Sequence, residues 1–390
     1  MTRPIYLDNN ATTPIDPVVL EAMMPYLTGE FGNAASSSHV YGWQAAEAVE
    51  TGRNQVARLI GGAPREIVFT SGATESNNLA LKGAARAYRE KGRHLVSCAT
   101  EHKAVLDTLK SLEAEGFEVT ILPVNPDGLL DLDRLAAAIR PDTTVVSIMA
   151  ANNEIGVLQP LEAIGSLCRS REVVFHTDAV QAAGKIPVDV DRWQADLVSL
   201  TAHKLYGPKG VGALYVRQRD RKIRIAPQID GGGHERGMRS GTLNVPGIVG
   251  LGKAFAVAKD SMAEESCRIE GWRNRLWETI RTGITDVVLN GSLEHRLPGN
   301  LNVSIPNVEG ESLVAALRDV AISSSSACSS ASMEPSHVLK ALGLSTPLAF
   351  RALRFGIGRF NTEAEITLVG ELLVRKVTEL RASSPLYSPS

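Results

Sequence analysis

Residues 66–100 read EIVFTSGATESNNLALKGAARAYREKGRHLVSCAT. A short β-rich run ends in a Ser-Gly turn, a stretch with helical texture follows, and a second β-rich run closes the segment. The alternation continues outward. Further β-rich runs stand at EVTILPV (118–124), TTVVSIMAA (143–151), VVFHTDA (173–179) and DLVSLTAHK (196–204), most of them separated by helix-like stretches such as LEAIGSLCRSRE. Strands alternating with helices predict βαβ units and an α/β fold with a mostly parallel central sheet. The runs are nearly continuous in apolar residues, as strands are when helices cover both sheet faces.

Near residue 247 the texture changes. GIVGLGKAFAVAKDSMAEESCRIEGWRNRLWETIRTGI (247–284) predicts a long, partly amphipathic helical region. Shorter strands follow at NLNVSIP (300–306) and ALRFGIG (352–358), then a last helix over about 362–382. We expect a large cofactor-binding α/β domain over 15–258, and a smaller α+β domain made of 1–14 and 259–390. At 390 residues, 44% hydrophobic and 22% charged, the chain has the composition of a globular protein with more than one core. A formal net charge of -2 argues against a nucleic-acid partner. No run approaches the roughly 20 apolar residues of a membrane span, and the N-terminus lacks the apolar stretch of a signal peptide. The expectation is a cytoplasmic protein with no nucleic-acid or membrane partner.

In open α/β sheets, ligands bind beyond the carboxyl ends of the strands. After EIVFT, Ser71-Gly72-Ala73-Thr74 opens a helix, whose free N–H groups suit a phosphate. Taken alone the segment also reads as a Gly-Ala turn with a threonine cap. Asp178 ends the run VVFHTD, with Gln181 close behind. An interior carboxylate needs a partner, and a protonated pyridine nitrogen is one; an aspartate here also reads as a helix cap. Lys204 ends the run DLVSLTAHK, just before a glycine-bounded turn. That placement suits a desolvated amine for Schiff-base chemistry, or a loop lysine if read in isolation. Phosphate turn, aspartate and lysine on successive strands are the parts of a pyridoxal-phosphate site.

The chain resembles the fold type I pyridoxal-phosphate enzymes, the class-V aminotransferase family, and within them the group I cysteine desulfurases of the housekeeping iron–sulfur and nitrogen-fixation type. The motifs that carry this are TSGATESNN (70–78), ATEHKAV (99–105), NNEIG (152–156), HTDAVQ (176–181), HKLYGPKG (203–210), GGGHERGMRSGT (231–242) and SSSSACSSAS (323–332). The resemblance implies that Lys204 holds pyridoxal 5'-phosphate as a Schiff base, that Asp178 holds the pyridinium nitrogen, and that His102 stacks on the ring as acid and base. It implies ring contacts for Asn153 and Gln181, and phosphate contacts for Ala73, Thr74, Thr201 and His203. Thr242 would join them from the other subunit of a homodimer. Arg354 would pair with the carboxylate of the substrate, L-cysteine, with Asn153 nearby. The implied reaction yields L-alanine and a persulfide on Cys328, bound for a sulfur-acceptor protein such as an iron–sulfur scaffold or another thiol carrier. No resident metal is implied, Cys328 being the one candidate for a transient iron–sulfur ligand. Other fold type I activities, a selenocysteine lyase or an aminotransferase, are the alternatives.

Four cysteines are present, with no C-x-x-C and no metal-ligand spacing. Cys98 in an apolar run, and Cys168 and Cys267 in helical stretches, read as packing residues. Cys328 differs, because seven of the ten residues from 323 to 332 are serine. A segment without charge or large side chains builds no core and predicts a mobile loop, able to carry a thiol to a substrate held elsewhere. At Ser325 the loop departs from the family pattern, which has glycine there and so a freer backbone.

Overall fold

The computed structural model of the chain describes residues 3–324 and 334–383. Strand β1 (Ile5–Tyr6) leads through an irregular strap, residues 8–16, into helices α1 (Pro17–Leu27) and α2 (Val40–Ile60). Seven strands follow: β2 (Ile67–Thr70), β3 (His94–Cys98), β4 (Glu118–Leu122), β5 (Thr143–Ser147), β6 (Val174–Asp178), β7 (Leu197–Thr201) and β8 (Gly212–Val216). They form one sheet in the order β2-β8-β7-β6-β5-β3-β4. The pairings from β7 through β4 are all parallel, whereas β8 runs antiparallel to β7 and to β2. Two reversals bring β2 back parallel to β7. The carboxyl ends of β2, β3, β5, β6 and β7 therefore share one edge.

Both faces of this sheet are covered, as its apolar strands predict. Helices α3 (Ala73–Ala87) and α4 (Lys103–Ala114) cover one face. Helices α5 (Leu132–Ala138), α6 (Leu161–Ser170), α2 and the first part of α7 (Val245–Gly283) cover the other. Side chains alternate between the two cores along each strand: Val68, Leu95, Val145, Val174 and Leu197 face Leu79 and Leu109, while Phe69, Val96, Val146, Phe175 and Val198 face Val56, Ile164 and Phe255.

A second core lies around the sheet β12-β13-β10-β9. Its strands are β9 (Val288–Leu289), β10 (Asn300–Ser304), β12 (Ser323–Ser324) and β13 (Ala352–Gly356). Strand β11 (Val320–Ala321) pairs in parallel with β1, so the chain's start joins its last third. Helices α8 (Gly310–Ala316), α9 (His337–Ala341), α10 (Thr346–Phe350) and α11 (Glu363–Ala382) complete this part. Helix α7 spans 39 residues without a break and passes through residue 258. Its buried residues Ile269, Arg273, Leu276 and Ile280 recur at helical spacing.

That spacing corrects one expectation. Cys267 falls off the buried stripe and is exposed, not a packing residue. Cys98 and Cys168 are buried as expected, and burial pushes the Cys98 thiol up to about 11 and that of Cys168 higher still. Cys328 and Ser325 lie outside the described residues.

Candidate active site

Gly72 takes φ 151°, a backbone angle that favours glycine, and turns the chain from β2 into α3. The first N–H groups of α3 then open into a cavity of about 420 Å3, which Ala73 and Thr74 line. Glu75, in the same turn, is neutralised by Arg239 at 2.7 Å and accepts the Ser71 N–H at 2.8 Å. It therefore does not cancel the positive end of the helix. Arg239 belongs to the loop 231–242, which Glu235 ties down: its carboxylate accepts the Phe69 N–H and two bonds from Arg53, each at 2.8 Å.

Asp178, at the end of β6, points into the same cavity and is 5% exposed. Among the described residues its side chain accepts bonds only from Asn77 Nδ2 at 2.7 Å and the Val180 N–H at 3.0 Å. An enclosed carboxylate held by neutral donors fits a cationic ring N–H that completes it. Asn77 itself has a buried Oδ1 without a partner among the described residues. The SNN run at 76–78 was legible as part of a motif, but nothing in it marked Asn77 as the residue that steadies Asp178.

Lys204 lies on the turn after β7. Its Nζ donates to the carbonyls of Asn10, at 2.6 Å, and Ala11. Burial, then the charge of Arg354, holds its amine down at about 8, against the opposite pull of Asp8 and Asp178. Roughly a tenth is thus neutral at pH 7, and more above it, as a nucleophilic amine requires. The strap 8–16 clamps the lysine turn: Thr13 N–H and Oγ1 donate to the His203 carbonyl at 3.0 and 3.1 Å, and Tyr206 N–H donates to Thr13 Oγ1 at 2.8 Å. His203 also meets Thr12 Oγ1 at 3.2 Å. Burial and the neighbouring lysines hold its imidazole down at about 4, so it is neutral.

His102 caps α4, its Nδ1 accepting the Ala104 N–H at 3.1 Å. The neutral ring therefore carries its proton on Nε2, the nitrogen left free for the cavity. Asn153 stands in the turn that Asn152 orders, through bonds from the Glu154 and Ile155 N–H groups at 2.8 and 2.9 Å. Ala73, Thr74, His102, Asn153, Asp178, Gln181, Thr201, His203 and Lys204 all line the one cavity. Thr242 and Arg354 do not. Thr242 is exposed on the surface. Arg354, on β13, is 7% exposed and donates to Asp8 at 2.7 Å, Ser323 Oγ at 2.8 Å and the Asn153 carbonyl at 3.1 Å. The last bond ties it to the cavity wall.

A helix N-terminus, a buried carboxylate with no cation bonded to it among the described residues and a partly neutral lysine, all open to one space, fit pyridoxal phosphate. The Aminotransferase class-V family model matches residues 5–369. Cysteine desulfurase IscS of Anaeromyxobacter sp. (strain Fw109-5) is 60% identical over 387 residues, which is 99% of this chain and 96% of the relative. Cysteine desulfurase IscS of Escherichia coli O139:H28 is 58% identical over 389 residues, again 99% and 96% of the two chains. Among solved structures, a NifS-like protein superposes with TM-score 0.90 at 38% identity, covering 97% of this chain and all of the other. A structure described as SspA in complex with cysteine superposes with TM-score 0.81 at 39% identity, covering 92% of this chain and 100% of the other. On a family match from residue 5 to 369, a cavity that fits the family's chemistry and relatives of near full length, the chain belongs to the class-V aminotransferase family.

Proposed function

We propose that the chain is a pyridoxal-phosphate-dependent cysteine desulfurase, converting L-cysteine to L-alanine and passing the sulfur to Cys328. The observation that carries this is the meeting of Lys204, Asp178 and the start of α3 in one cavity. The cofactor, when bound, supplies an electrophilic carbonyl carbon and a ring that withdraws electrons from the substrate's Cα.

The chain's own residues do the rest. The N–H groups at Ala73 and Thr74 receive the phosphate, with Thr201 and His203 beside them. Asp178, steadied by Asn77, keeps the proton on the ring nitrogen. Lys204 anchors the cofactor and, as a free amine, takes the Cα proton. Arg354 receives the substrate carboxylate, a task suited to a planar donor. His102, with Nε2 toward the cavity, manages the proton at the sulfur. Cys328 attacks that sulfur as a thiolate. The substrate's Cβ–S bond breaks, an S–S bond forms, and the electron pair left on carbon takes up a proton, so cysteine and the enzyme thiol become alanine and a persulfide.

In this reading the chain divides into 15–258 and 1–14 with 259–390, works in the cytoplasm as a homodimer, and hands its sulfur to an acceptor thiol, on an iron–sulfur scaffold or another carrier. Alanine and sulfide formed from L-cysteine test it. With a dithiol added to reduce the persulfide, wild type is expected to release both, while Lys204→Ala releases neither. Cys328→Ala is expected to exchange the Cα proton with solvent yet release little alanine. A Cys328→Ala protein with wild-type desulfuration, or a persulfide found by mass spectrometry on Cys98, Cys168 or Cys267, overturns the assignment.

A further inference from the structure

A second lysine stands close behind the cofactor cavity. Lys185 is half-buried on the turn that follows β6, and its Nζ donates to Gln181 Oε1 at 2.9 Å. Gln181 is bound twice to Asn10: its Nε2 donates to the Asn10 carbonyl at 2.9 Å, and its Oε1 accepts from Asn10 Nδ2 at 3.2 Å. The same Asn10 carbonyl accepts Lys204 Nζ. Lys185 and Lys204 line a second cavity, of about 40 Å3, that Gln181 does not reach. Gln181 and Lys204 line the larger one, without Lys185. Gln181 is thus the link between Lys185 and the cofactor space.

These partners fix which way the amide points. An ammonium only donates, so the atom facing Lys185 is the oxygen; a carbonyl only accepts, so the atom facing Asn10 is the nitrogen. One N–H of Nε2 remains for the larger cavity. No carboxylate pairs with Lys185 among the described residues. Burial, then the charges of Lys204 and Arg354, holds that amine down at about 7. The other charged groups around the pair are Asp8, Asp178 and Lys209, with Glu265 and Arg359 lining the smaller cavity.

We propose that Lys185 is a positioning residue of the cofactor site: its ammonium anchors the oxygen of the Gln181 amide, so that the remaining amide N–H is presented to the ring hydroxyl oxygen of pyridoxal phosphate. The proposal rests on the reading that the larger cavity takes this cofactor. A double-mutant cycle on cofactor binding tests it, with Lys185→Met, Gln181→Met and the double variant.

Loss of a charge-assisted hydrogen bond is expected to raise the dissociation constant for pyridoxal phosphate roughly 10-fold in Lys185→Met. The double variant is expected to be no weaker than the weaker single one, because Lys185 acts through Gln181. Lys185→Arg, which keeps a cationic donor, is expected to bind as wild type does. In Lys185→Met the pH at which the bound cofactor's long-wavelength absorption changes should move upward, since an anionic ring oxygen loses a donor. Thermal unfolding of the cofactor-free proteins checks folding, and Lys185→Ala replaces the methionine variant if that one does not fold. Additive effects, an unmoved absorption transition, or an arginine variant as weak as methionine overturns the proposal. A wild-type protein that takes up no pyridoxal phosphate fails the cofactor reading instead.

Discussion

Glu101, fully buried one residue before His102, accepts the Met149 N–H at 2.5 Å through Oε1, while Oε2 has no partner among the described residues. Burial first, then the nearby Asp178, pushes its carboxyl well above the usual range, so the folded chain keeps it protonated. An unfolded glutamate ionises near pH 4.3, roughly. Above that pH the unfolded state sheds a proton that the folded state retains, and stability falls with rising pH until the buried group ionises too. Glu101→Gln keeps the acceptor and has no proton to lose. Each pH unit in this window is expected to cost wild type up to about 1.4 kcal/mol that the variant does not lose. Urea unfolding at pH 5 and pH 7 measures the difference, and parallel stability profiles would contradict it. At this scale the sequence was legible where residue type and strand end coincide, as at Asp178 and Lys204. Asn77, Asn10 and Lys185 were not legible: a lone asparagine or a turn lysine has many ordinary uses, and theirs depend on contacts up to 194 positions away.

Helix α2, strand β2 and the loop 231–242 are joined by one enclosed ion pair. Arg53 and Glu235 meet at 2.8 Å with side chains 5% and 2% exposed, and Arg53 also lies over the Phe69 ring. Glu235 and Arg236 hold positive φ angles of 49° and 58°, so this contact stabilises a backbone that would otherwise relax. Glu235→Ala leaves the buried guanidinium with only Glu50, at 2.9 Å, and the Ile67 carbonyl, at 2.8 Å, and a stability loss of about 3 kcal/mol is expected in chemical unfolding. Arg53→Met with Glu235→Leu should recover much of it. If the double variant is no more stable than Glu235→Ala, the loss lies in the loop's backbone and not in the weakened pairing of Arg53. The elements themselves were the most legible part of the chain. Runs buried on both faces are rich in apolar residues, so β2, β3, β5, β6 and β7 stood out, and the partly exposed edge strand β4 did so by its Val-Thr-Ile run. Strand β8, apolar and buried like its neighbours, was passed over because it starts on Gly212, two residues after Gly210, where the sequence reads as a turn. The exposed Cys267 was misread because helical texture alone does not say which stripe faces the core.

Across the whole molecule, large apolar side chains are exposed mainly near the chain's start. Leu20, Met24 and Leu27 form an outward stripe on α1, with Phe31, Tyr41 and Trp43 beyond it. Such a stripe fits the homodimer proposed above, whose partner would cover it. Leu20→Glu combined with Trp43→Glu is expected to shift the protein to monomers in sedimentation. Those monomers should also lose cofactor several-fold more readily, since Thr242, exposed on each chain, would serve the partner's phosphate site. A monomer with unchanged cofactor affinity would exclude a shared site. Neither the stripe nor the placement of Thr242 was legible locally, because both follow from how distant segments fold against each other.

The strap around Lys204 also sets an order of events during synthesis. Asp8 pairs with Arg354, and Asn9 Nδ2 with the Gly356 carbonyl, across 346 and 347 positions. A ribosome adds roughly 5–20 residues per second, so the first residues made wait many seconds for their partners. Until then the strap is held from its other side only, by Thr13 on His203 and Tyr206 and by Asn10 on Gln181. The sheet can form on the nascent chain, but the strap is fastened at both ends only when the last strand arrives. A truncated chain would therefore carry the phosphate turn, the aspartate and the lysine, with the strap that holds the amine secured at one end.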